Sequence, residues 1–119
     1  MQNIQVIIEH CSVNEMLDQL EEECGELVQA CVKFKRAYKQ TTPVTIVEAR
    51  KKLQEELADV AVASAAVFFG VLTPSEQEEE LETEKEKAIR WKERIEKHEH
   101  ACNHGPTPMV FKVCLYNCF

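Results

Sequence analysis

Leu20-Glu21-Glu22-Glu23-Cys24-Gly25-Glu26-Leu27 decides how this chain reads. Thirty-three positions later stands Leu53-Gln54-Glu55-Glu56-Leu57-Ala58-Asp59-Val60. Aligned, Leu20 falls over Leu53, Glu23 over Glu56, Gly25 over Ala58 and Glu26 over Asp59. Both stretches sit inside helical periodicity. At about 100° per residue, with Leu20 at the origin, Leu17, Cys24, Leu27 and Cys31 fall within about 60° and form the expected buried stripe. Glu23 then lies about 60° to one side and Glu26 about 120° to the same side. With Leu53 at the origin of the second helix, Glu56 and Asp59 take the same two angles. Two helices packed by these stripes bring four carboxylates to one edge of their seam.

Four carboxylates at close range repel and raise one another's pKa. A hard divalent cation removes that cost, and oxygen donors are what Mg²⁺ prefers. Mg²⁺ keeps several waters and commonly meets a substrate phosphate, so the pattern points to phosphate chemistry. Against this stands a plain alternative, solvated glutamates at the stripe edges, which favour helix in any case. One E-x-x-E alone fits that alternative; a matched pair at one angular offset on two helices favours a site.

The totals narrow the classes. At 119 residues the chain is expected to be one domain, residues 1–100, with a tail over residues 101–119. Its 21 Asp and Glu against 14 Lys and Arg give a net charge of −7, which argues against non-specific nucleic-acid binding. The N-terminus lacks a basic region and its apolar run is short, so no signal peptide is expected. The longest apolar run, Val60 to Leu72, is too short to span a bilayer as a helix. Six cysteines without a signal sequence read as reduced thiols, and the expected location is cytoplasmic.

The fold class expected is all-α, a bundle of long antiparallel helices with its core completed by oligomerisation. Met1 to His10 reads as a short helix. The first long helix is expected from about Ser12 to Tyr38, opened by a Ser12–Glu15 capping box. Gly25 costs about 1 kcal/mol against Ala, and one use for it is the close approach of a neighbour behind the acids. Thr41, Thr42 and Pro43 offer the start of the second helix, about Val44 to Val71. Lys52 precedes Glu56 by one turn, either as its i,i+4 partner or as a phosphate-binding cation. From Val60 to Phe69 the second helix is apolar on every side, which predicts a homodimer or homotetramer with this segment at the interface. A third helix, about Ser75 to Glu99, carries Lys87, Arg90 and Arg94 on one face. That face is either solvated or a cationic wall suited to a triphosphate. In the tail, His98, His100, Cys102, His104, Cys114 and Cys118 are zinc-capable residues at no established site spacing. Met109 to Tyr116 could pair as a strand.

These residues resemble the MazG-like all-α nucleotide pyrophosphohydrolases, related to the dimeric dUTPase and phosphoribosyl-ATP pyrophosphatase groups. The family signature is E-E-x-x-E, a spacer, then E-x-x-D. Here it reads Glu22-Glu23-Cys24-Gly25-Glu26 and Glu56-Leu57-Ala58-Asp59. Lys87, Arg90, Arg94 and Ile95 are similar to the family's K-x-x-R-x-x-x-R-I run, and the likeness extends roughly from Val13 to Lys97. The resemblance implies Mg²⁺-dependent cleavage of a nucleoside triphosphate between its α and β phosphates. It implies Glu23, Glu26, Glu56 and Asp59 as metal ligands and Glu22 as an auxiliary acid, though the wheel turns Glu22 nearly opposite the stripe. Lys52, Lys87, Arg90 and Arg94 are the implied substrate-binding cations. House-cleaning of nucleotides is the broad role implied. The rival readings are a non-enzymatic helical assembly module and, from the tail, a zinc-binding adaptor.

Overall fold

A computed structural model describes residues 2–102, with side chains through residue 98. Four helices follow in order: α1 (Gln2–His10), α2 (Val13–Tyr38), α3 (Ile46–Gly70) and α4 (Pro74–Cys102). The described residues are all-α and contain no strand. The chain divides into two compact units, with the boundary between Gln77 and Glu78. The zinc-capable and strand-like tail readings fall outside the described residues, apart from His98 and the backbone up to Cys102.

Local chemistry sets the helix ends. Ser12 caps α2, its Oγ accepting from the Glu15 N–H at 3.1 Å while Glu15 accepts from the Ser12 N–H at 2.7 Å. The start of α3 differs from expectation. Its cap is Thr45, boxed with Glu48, and Pro43 stands outside the helix. A proline is tolerated at a helix start but does not compel one there, whereas Thr45-Ile46-Val47-Glu48 satisfies two of the free N–H groups. Thr73 and Glu76 exchange the same two bonds ahead of α4, and Pro74 is that helix's first residue. At the end of α2, Thr41 N–H donates to Arg36 and Gln40 N–H to Ala37, closing the helix through a left-handed Gln40 at φ 57°.

The principal packing is α2 against α3, with α1 lying on α3. The buried stripe of α2 is Met16, Leu20, Glu23, Leu27, Ala30, Phe34 and Ala37, all buried or half-buried. On α3 it is Ile46, Ala49, Leu53, Glu56, Val60, Ala63, Val67 and Gly70. Both runs alternate steps of three and four, the heptad spacing of paired helices. Buried alanines at Ala30, Ala37, Ala49 and Ala63 let the helices approach closely. The half-buried Leu and Phe side chains between them contribute about 1–2 kcal/mol each through the area taken from water.

This stripe is rotated from the expected one. Leu17, Cys24 and Cys31 are exposed, and the contact is shifted by roughly 50° toward the acids, so Glu23 and Glu56 stand in the middle of the seam. Gly25 is also corrected: a Cβ there would meet nothing within 4 Å, so no neighbour requires it. The glycine that matters for packing is Gly70. A Cβ on it would lie 3.0 Å from Met16 Sδ and 3.1 Å from Ile8 Cγ1, so α1, α2 and α3 meet at this point.

Candidate functional site

Glu56 is 1% exposed, the one charged side chain in the core of the described residues. Burying a carboxylate without partners is costly. Lys52, one turn earlier on α3, forms an ion pair with Glu56 Oε1. Glu56 Oε2 is buried with no hydrogen-bond partner among the described residues, and Glu23 Oε2 is in the same condition. The other Glu23 oxygen accepts from Gln19 Nε2 at 2.5 Å.

Two helices converge on these orphaned atoms. Carboxylate oxygens of Glu23, Glu56 and Asp59 all lie within 4.8 Å of one another. Three oxygens at that separation, two of them on side chains with an unmatched buried acceptor, form a donor set that a hard divalent cation would satisfy with slight contraction. Glu26 adjoins the group. Its carboxyl is pushed above the ordinary 4.5, first by its side-chain approach to Glu56. Repulsion from the Glu56 charge, burial and Glu23 add to this, and Lys52 opposes it. Glu56 is held below 4.5, chiefly by its bond to Lys52, against burial, with Glu26 and Lys33 also lowering it. Lys52 is correspondingly raised by Glu56.

The sign of the Glu26 effect is testable. A raised folded-state pKa favours the fold below 4.5, and that advantage is lost as pH rises through the folded value. Glu26→Gln is therefore expected to raise the Tm of the metal-free protein near neutral pH, with the difference shrinking toward pH 4.5. Thermal unfolding in chelator across that range checks it; an unchanged or lowered Tm at neutral pH would show that the repulsion is not felt.

Beside the carboxylates opens a cleft of about 630 Å³, in the size range of small-molecule sites. Ile7 of α1, Cys11 just after it, and Met16, Val62, Ala63 and Ala66 give it apolar walls. Glu15, Asp18, Gln19, Glu22, Glu23 and Asp59 give it an acidic side without Lys or Arg.

The structure thus gathers Glu23, Glu56 and Asp59, with Glu26 coupled to them. Glu22, placed by the wheel on the far side, lines the cleft instead, a consequence of the rotated stripe. Lys52 is the ion-pair partner of Glu56. Lys87, Arg90 and Arg94 belong to the second unit, exposed on one face of α4; the carboxylate site is built from the first unit alone. Sequence reading missed Glu15, Asp18, Gln19 and the α1 residues as cleft wall, and Lys33 as a charge felt by Glu56. Only Lys33 carried a local signal, lying one heptad after Glu26 in the basic run that closes α2. No family model, curated protein or solved structure matches the chain. Among the described residues no helix is long and apolar enough to cross a membrane.

Proposed function

We propose that the chain is a Mg²⁺-dependent nucleoside triphosphate pyrophosphohydrolase of the MazG-like kind, cytoplasmic, with α2 and α3 antiparallel and the core completed by further copies. The observation that carries this reading is a fully buried glutamate with an orphaned oxygen, set against two more carboxylates at the edge of a substrate-sized cleft. Gly70 at the end of α3 lying on Met16 near the start of α2 supports the antiparallel run.

In this reading Glu23, Glu56 and Asp59 would hold the cation, with Glu26 as a fourth ligand. Bound there, Mg²⁺ would neutralise phosphate charge and lower the pKa of the attacking water. Glu22 takes the proton as water oxygen bonds to the α phosphorus. The bond from that phosphorus to the α–β bridging oxygen breaks, and the electron pair leaves with pyrophosphate. The products are a nucleoside monophosphate and pyrophosphate. Lys52, on the same helix as Glu56, is assigned to the β and γ oxygens. The apolar cleft wall of α1 and α3 takes the uncharged part of the substrate.

A panel of dNTPs and NTPs, with and without Mg²⁺ and assayed for pyrophosphate, tests the reading. Release in Mg²⁺ alone is expected for at least one of them. No release for any, at high protein concentration, would sink it. That result would favour the assembly-module reading, which the exposed Leu81, Ile89 and Trp91 of α4 support.

A further inference from the structure

The rotation of the α2 stripe leaves a second heptad run on its outer side: Leu17, Glu21, Cys24, Val28, Cys31 and Lys35, again in steps of four and three. All six are exposed, Val28 at 63%. In an antiparallel pair, equal rotations from the two contact stripes turn α2 and α3 toward the same side. The carboxylates therefore open on one side, and this run opens on the other beside Leu57 of α3, itself 52% exposed. An apolar face of this extent marks an association surface.

Its pattern fits one occupant. Glu21 and Lys35 stand seven residues either side of Val28. Neither forms an ion pair among the described residues. If a second α2 is laid antiparallel about a two-fold axis through Val28, Glu21 of each copy faces Lys35 of the partner subunit. The patch is self-complementary, as an isologous contact requires. About that axis the two α2 helices overlap over residues 18–38, about 31 Å of helix with about 9 Å between axes. We propose that two copies of this chain associate through the outer face of α2, about a two-fold axis at Val28, with reciprocal Glu21–Lys35 pairs. This specifies the interface of the oligomer proposed above, and it stands or falls without reference to catalysis.

Light scattering on the eluting full-length chain tests it, with a dimer of twice 13.7 kDa expected. Val28→Glu sets two carboxylates on the axis and is expected to yield monomer with unchanged helix content. Glu21→Lys alone, and Lys35→Glu alone, are each expected to weaken dimerisation about tenfold through two lost pairs and two new repulsions. The double swap is expected to restore it. Cys24 and Cys31 flank Val28, so their reaction with a maleimide, mapped by mass spectrometry, is expected to be slow in the parent and fast in Val28→Glu. A parent that runs as a monomer overturns the proposal, even one whose Cys24 and Cys31 resist label, since another segment would then cover the face. A dimer unaffected by Val28→Glu, or a double swap no better than the single changes, overturns it as well. The pyrophosphate assay, run on the same samples, reads the hydrolase proposal separately.

Discussion

Glu56→Gln is expected to lower the proposed pyrophosphate release by at least about 100-fold and to leave a folded protein. Losing even an outer-shell partner of a metal ligand typically costs 10–100-fold, and Glu56 is assigned to the cation directly. Gln keeps the volume, and its carbonyl still accepts from Lys52. It also removes the two largest causes that raise the Glu26 carboxyl, both of which come from Glu56. The metal-free variant loses the charged Lys52 pair that favours the fold above pH 4.5 but also the repulsion felt by Glu26, so near neutral pH it should stay folded with a Tm close to the parent's, while Mg²⁺ no longer raises it. Pyrophosphate release and thermal unfolding with and without Mg²⁺ check both halves. A variant that fails to fold would make Glu56 a structural residue; one that folds and turns over at the parent's rate would remove the carboxylates from the chemistry.

Lys52→Met works in the opposite direction. The lysine stem packs much as methionine would, so the change is chiefly the loss of charge beside a buried carboxylate. The bond to Lys52 is the first cause holding Glu56 below 4.5, and burial pushes the other way. Without the lysine, burial pushes the Glu56 carboxyl upward, with only Glu26 and Lys33 left to oppose it. In the parent the lowered Glu56 favours the fold above pH 4.5, and that advantage is lost as pH falls through the folded value. The variant should therefore melt several degrees below the parent at neutral pH, close the gap only as pH falls below 4.5, and gain more from Mg²⁺ than the parent does. Equal melting temperatures at neutral pH would mean that the pair seen on α3 contributes nothing.

These opposite signs bear on what the amino-acid order revealed. Helix positions were legible because capping boxes and apolar spacing are local: Ser12 with Glu15 marked α2, and Gly70 with Pro74 separated α3 from α4. The azimuth of the contact was not legible. A hydrophobic wheel centres on leucine, so it set Glu23 and Glu56 at the margin and made Leu17, Cys24 and Cys31 core. Tertiary packing put the acids in the middle and turned the cysteines out. The error hid the position of Glu22, which came round to the cleft, and produced an explanation for Gly25 that nothing in its surroundings requires. The carboxylate pairing itself survived, since a common rotation of both helices moves Glu23 and Glu56 together. The cleft was invisible for a different reason. Its far wall is α1, held by contacts around Gly70 that join positions distant in the chain.

Seven positions either side of Glu56 on α3 stand Ala49 and Ala63; either side of Glu23 on α2 stand Met16 and Ala30. Were one rod to slide along the other by a single repeat, about 10 Å, each carboxylate would be stranded against a methyl group. Leucine at both places would tolerate such slippage, as uniformly greasy seams do. The two acids thus behave like the teeth of a key, and the alignment they enforce brings Asp59 beside them.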